Sequence, residues 1–169
     1  TLIASSSTGD LVLNLVDLVN TTLSVNGAQF IVQFPTFVNS TLTFDITVAP
    51  GRKIGIAGNL TLANANITLG ANANNGNTNP ITFVGGSNSI TGNGTILVLN
   101  APTVFDQISS ANVTIGSGIT LALGPGAFNN TTANLKNLNA SNLINQGTVA
   151  VRQAGCTLTN SGAGIFQNQ

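Results

Sequence analysis

The chain has 169 residues, of which 4 are Lys or Arg and 4 are Asp or Glu, with no His, Met, Trp or Tyr, one Cys and 42% hydrophobic residues. A charged fraction of 5%, against roughly 25% in ordinary soluble domains, leaves no basic patch for nucleic acid and no acidic stretch. Without His, Met or Glu the usual zinc and haem ligand sets cannot be assembled, and four scattered Asp make a poor cation site, so neither metal nor cofactor is expected.

The length suits one domain with a real core. An apolar, nearly uncharged chain is the opposite of a disordered one. Its longest hydrophobic runs have four residues, as in Ile96-Leu97-Val98-Leu99, far short of the roughly 18 that a spanning helix needs. The polar half consists of uncharged residues, with 25 Asn, 22 Thr and 12 Ser beside 19 Gly. A start at Thr1 without Met leads us to expect a mature secreted chain, extracellular or on a cell surface.

Residues 1–19 read as an N-terminal segment or cap. In DLVLNLVDLV (10–19), Asn14 and Asp17 lie three apart among apolar residues, which predicts one or two turns of helix capped by Thr8 or Asp10. Val12, Val16 and Val19 suit a sheet as well. From Asn20 to Gln169 the chain falls into about seven segments of twenty-odd residues, each pairing short alternating apolar runs with Asn, Gly and Ser corners.

The alternation has the strand period of two. Leu42, Phe44, Ile46 and Val48 share one face of 41–48, opposite Thr41, Thr43, Asp45 and Thr47. Ile54, Ile56, Leu60 and Leu62 are followed by Ile67 and Leu69, whose parity has changed across 63–66. The polar stretch ANANNGNTNP (71–80) reads as a loop extruded from one corner. Val113, Ile115, Ile119, Leu121 and Leu123 keep one parity through the corner Gly116-Ser117-Gly118. The pieces Gly92–Gly94, Gly116–Gly118 and Gly124–Gly126 lack the Lys and the helix of phosphate loops and are expected as corners. Cys156 shares the parity of Leu158 and is expected in the core.

Repeating units of this length predict an all-β parallel β-solenoid, with an antiparallel jelly-roll or pilin-like sandwich completed by strand donation as the alternative. The segments ITVAPGRKIGIAGNLTLANANITLG (46–70), NGTILVLN (93–100) and LINQGTVAVRQAGCTLTNSGAGIFQNQ (143–169) resemble the coils of right-handed β-helix proteins of the pectin-lyase-like and autotransporter-passenger kind. The segment DLVLNLVDLVN resembles their N-terminal capping helix. That resemblance implies surface proteins, some of them polysaccharide lyases or hydrolases. The catalytic patterns of those enzymes are missing, for there is no Asp-Asp pair, no Gly-His-Gly and no Arg-x-Lys triplet. Asp45 within reach of Arg52 or Lys53 is the one arrangement with catalytic chemistry, and the favoured reading of it is an exposed charge balanced by a nearby pair of cations.

Nine asparagines fit the N-glycosylation acceptor pattern: Asn20, Asn39, Asn59, Asn66, Asn93, Asn112, Asn129, Asn130 and Asn139. Composition alone gives about five. The expected function is a structural, non-enzymatic subunit of an extracellular filament, sheath or appendage, partnered by copies of itself and by N-linked glycans. The motivation is the repeat together with a final coil, Phe166-Gln167-Asn168-Gln169, that carries no capping signal. An adhesin-type glycan- or surface-binding module is the alternative, and a polysaccharide lyase or hydrolase comes third.

Overall fold

A computed structural model describes residues 1–5, 7, 9–49, 51–70, 81–99, 105–107, 112–124, 132–137, 142–152, 157–162 and 165–169. In chain order the strands begin with β1 (Leu2–Ser5), β2 (Leu11–Leu13), β3 (Asp17–Val19), β4 (Thr22–Asn26), β5 (Phe30–Val32), β6 (Thr36–Leu42) and β7 (Ile46–Val48). They continue with β8 (Ile54–Ala63), β9 (Ile67–Leu69), β10 (Ile81–Phe83), β11 (Asn88–Val98), β12 (Phe105–Gln107) and β13 (Val113–Ile115). The last are β14 (Ile119–Leu123), β15 (Thr132–Asn137), β16 (Leu143–Asn145), β17 (Thr148–Val151), β18 (Thr157–Gly162) and β19 (Phe166–Asn168). No helix occurs among the described residues, and so none is long and apolar enough to cross a membrane.

The chain alternates β-branched residues with small polar ones and breaks at Asn and Gly, which favours short strands over helix. All strand pairs among the described residues are parallel. The one antiparallel contact is an isolated bridge from Ser5 to Gly27. Pairing runs in three stacks. The first follows Asp17, Thr36, Gly55, Thr82 and Asp106 through β3, β6, β8, β10 and β12. The second follows Leu2, Leu23, Leu42, Leu62 and Gly92 through β1, β4, β6, β8 and β11. The third follows Ile46, Ile67, Ile96, Leu121 and Val149 through β7, β9, β11, β14 and β17.

Strands β6, β8 and β11 each serve two stacks, so the chain bends within them. Asn39 in β6 (φ 48°), Gly58 in β8 (φ 74°) and Gly92 in β11 (φ 88°) supply left-handed backbone at or beside the bends, a conformation that Asn and Gly tolerate best. Strands β2 and β5 form a separate two-stranded sheet. The third stack is therefore interrupted between β5 and β7. The sheet as a whole does not close on itself, and the mainly parallel all-β arrangement is compatible with a parallel β-solenoid.

Inward positions stack by type. Leu23, Leu42 and Leu62 are paired neighbours with no exposed surface, and so are Ile67 and Ile96. Phe37, Ile56 and Phe83 make a similar buried row. Each such side chain contributes about 1.5–3 kcal/mol by leaving water. The parity of 41–48 holds, with Leu42, Ile46 and Val48 buried and Phe44 half-buried. The run is nevertheless two strands: β6 ends at Leu42 and β7 begins at Ile46, on a different stack. The inward face survives because the corner takes three residues, which keeps Leu42 and Ile46 in phase. The parity change across 63–66 is also real, with Asn64 at φ 57° and Ala65 buried.

Two expectations need correction. The helix over 10–19 is absent, and those residues form β2 and β3. Leu15 sits at φ 50°, which ends any helical turn. Asp10, instead of capping a helix, accepts a hydrogen bond from the Gln29 backbone N–H at 3.0 Å. Leu13 and Leu18 are buried by pairing with β5 and β6. The antiparallel sandwich is likewise not what the strands form, since they pair in parallel. Thr8, the loop 71–80, Pro125-Gly126 and Cys156 lie outside the described residues.

Two substitutions test the stacked core. Leu62→Ala should cost about 2–5 kcal/mol as a buried large-to-small change. Gly92→Ala should also destabilise, because its φ is positive and the added Cβ would meet the Leu62 carbonyl oxygen. Urea denaturation should show both as lowered midpoints, against a shift within about 0.5 kcal/mol for exposed Thr47→Ala. A Leu62→Ala midpoint equal to wild type would contradict the packing.

Candidate functional site

At several of the described corners a backbone N–H has no carbonyl partner on the neighbouring strand. Short amide and carboxylate side chains take the carbonyls' place. Asn39 Oδ1 accepts from the Asn59 N–H at 3.0 Å. Asp45 Oδ1 accepts from the Asn66 N–H at 2.8 Å and from its Nδ2 at 3.0 Å. Asn66 Oδ1 in turn accepts from the Thr95 N–H at 2.9 Å, and Asn112 Oδ1 from the Asn142 N–H at 3.4 Å. With Asp10 and Gln29, these bonds span 19 to 30 residues. Each joins a corner to the corresponding corner on the next strand of the stack.

The acceptor-pattern asparagines divide on this geometry. The glycan-bearing atom would be Nδ2. In Asn59, Nδ2 donates to Thr61 Oγ1 at 2.8 Å, while Oδ1 accepts from Ser89 Oγ at 2.7 Å and Thr91 Oγ1 at 2.9 Å. In Asn66, Nδ2 is held by Asp45. Both residues are half-buried. Asn20, Asn39, Asn93 and Asn112 are exposed, and among the described residues their Nδ2 groups have no hydrogen-bond acceptor. Asn129, Asn130 and Asn139 lie outside the described residues.

Asp45 is not joined to Arg52 or Lys53. Its carboxylate is held by Asn66, and the Arg52 guanidinium lies 5.3 Å above the Phe34 ring, a cation–π contact that covers apolar surface. A cation that does share a groove with Asp45 is Arg152, which sequence spacing could not supply because it comes from more than 100 residues later. Both line an open groove of about 290 Å³ with Asn66, Thr68, Thr95 and Leu97. The groove offers hydroxyls, an amide and two opposite charges.

A second groove, of about 650 Å³, lies where β5 and β7 fail to pair. Phe30 and Phe44 stack across its floor with centroids 5.1 Å apart and planes at 19°. Val32 and Ile46 complete the apolar wall. Neither groove holds paired carboxylates at the separation that glycoside cleavage uses. Among the described residues no three metal-ligating side chains converge.

No family model matches the chain, and neither a curated protein nor a solved structure matches it. The geometry alone therefore carries the functional argument.

The corner role of Asp45 is separable from any role of its charge. Asp45→Asn keeps an acceptor for the Asn66 N–H and should be near neutral, whereas Asp45→Ala should cost about 0.5–1.5 kcal/mol. Thermal or urea unfolding of the two variants checks this, and equal stabilities would remove the corner role.

Proposed function

We propose that the chain is a right-handed parallel β-solenoid serving as a structural subunit of an extracellular filament, sheath or surface appendage, assembled by strand pairing between copies. The observation that carries this reading is the in-register parallel stacking of like residues, a pattern that is extended by adding another parallel strand. Among the described residues β1 pairs with β4, and β19 with β16. Leu143 N–H donates to Ile165 O, and Gln169 N–H to Asn145 O. Odd-numbered residues of β19 thus face β16, and the backbone groups of Phe166 and Asn168 face the other way. Edges of this kind pair with whatever parallel strand comes next, from the same chain or another copy. A 5% charged fraction provides little repulsion against such contact.

Glycans fit the same reading, because they hydrate a surface that has few charges. The groove between Asp45 and Arg152 favours the second reading, an adhesin-type module that takes polar groups of a glycan. Its donors and acceptors suit hydroxyls, and it lacks an aromatic platform.

Asn168→Pro tests assembly selectively. It removes an N–H on the free edge while Gln167 and Gln169 stay paired to β16, at the loss of one side-chain bond from Asn145 Nδ2. Wild type should form filaments in negative stain that the variant does not form, with unchanged circular dichroism. A monodisperse wild-type monomer by light scattering, across salt and concentration, overturns the proposal. For material from a glycosylating host, peptide mapping should place hexosamine on Asn20, Asn39, Asn93 and Asn112 rather than on Asn59 and Asn66.

A further inference from the structure

The outward side of the second stack has a regularity that assembly through strand edges does not use. Thr22, Thr41, Thr61 and Thr91 are paired neighbours on β4, β6, β8 and β11. Asn59, Ser89 and Thr114 form a parallel row two residues away on β8, β11 and β13. On the far side of the threonines the residues are mixed, with Ser24, Thr43, whose Oγ1 donates to Leu23 O, and the pair Ala63 and Asn93. Neighbouring strands are about 4.8 Å apart, and alternate residues along a strand about 6.6–6.8 Å apart. The result is a lattice of small uncharged polar side chains in which one row is threonine throughout.

Two further observations set this lattice apart from an ordinary polar sheet face. Strands β1, β4, β6, β8, β11 and β13 contain no charged residue. The hydroxyls are also pinned: Asn59 donates to Thr61 and accepts from Ser89 and Thr91. Thr61 is left with its proton for an outside acceptor, and Ser89 and Thr91 with lone pairs for outside donors. Hydrogen-bonding directions are thus fixed before any partner arrives, which lowers the ordering cost of binding.

Protein partners usually engage Trp, Tyr or Arg anchors, and sugars stack on aromatic rings; this face has none of these. What it matches is a partner that is itself periodic, neutral and made of hydrogen-bonding oxygens. We infer that the Thr22–Thr41–Thr61–Thr91 face binds ice, whose surface oxygen rows repeat at a spacing close to that between strands. Water held between the hydroxyl rows, with the threonine methyls excluding alternative positions, would form the contact layer. This inference is independent of filament assembly, because it uses a stack face and not a stack edge.

The test uses the full chain from a bacterial host, so that no asparagine beside the face carries a glycan, both as wild type and as Asn168→Pro. Ice crystals grown in either should be faceted and show thermal hysteresis. The double variant Thr61→Lys/Thr91→Lys should lose both effects, while Thr47→Lys, on the third stack, should retain them. Circular dichroism and melting of each variant establish that the fold is kept. Where the double lysine variant fails to fold, Thr61→Val/Thr91→Val replaces it, with ice shaping expected to weaken. Absence of faceting and hysteresis in the wild type overturns the inference. So does their persistence in the folded lysine variant, or retention on crystalline cellulose or chitin without any effect on ice.

Discussion

Each strand of this protein finds its neighbour 19 to 30 residues away, in parallel, and the chain must turn repeatedly without leaving backbone groups unpaired. That requirement governs the sequence. Parallel pairing in register stacks like on like, so leucine lies on leucine from Leu23 to Leu62 and isoleucine on isoleucine from Ile46 to Ile96. At corners the same requirement selects residues that accept positive φ or that offer a side-chain oxygen in place of a carbonyl. Asn39 does both, Asn20 and Asn64 take the positive φ, and Asn66 and Asn112 offer the oxygen.

The corner chemistry also reassigns the ionisable groups. Asp10 and Asp45 are acceptors for N–H groups on the next strand of their sheets, and Arg52 covers a phenylalanine ring. In these three residues charge serves local structure. The outward hydroxyl rows are a by-product of the same alternation, since a strand that points Leu and Ile inward must point something small and polar outward. Whether such rows remain mere solvent-facing surface depends on how regular they are, and here Asn59 fixes three of its neighbours at once.

Much of this was legible from the residues. The period of two gave the inward sets Ile54, Ile56, Leu60, Leu62 and Val113 to Leu123, and the parity change at 63–66 marked a real corner. The corner inside 41–48 was not legible, because a three-residue turn preserves parity and leaves no trace in the pattern. The segment 10–19 misled for a different reason. Apolar residues at most positions fit either period, and the deciding events, Leu15 at φ 50° and Asp10 bonding to Gln29, depend on neighbouring strands. The grouping of Asp45 with Arg152 is a property of stacking, which brings distant segments onto one face in a way that linear spacing cannot reveal.

The interruption between β5 and β7 has a consequence for how the molecule comes apart. In stacked architectures, cooperativity is transmitted only between neighbours. Strands β1 to β5 are joined to the remainder through the first two stacks, by β3 and β4 pairing with β6, while the third stack contributes no ladder there. Elsewhere, as between β8–β9 and β10–β11, all three stacks carry the connection. The N-terminal strands therefore constitute a separate unit of opening, whose amide hydrogens exchange at a lower free energy than those of the middle of the sheet.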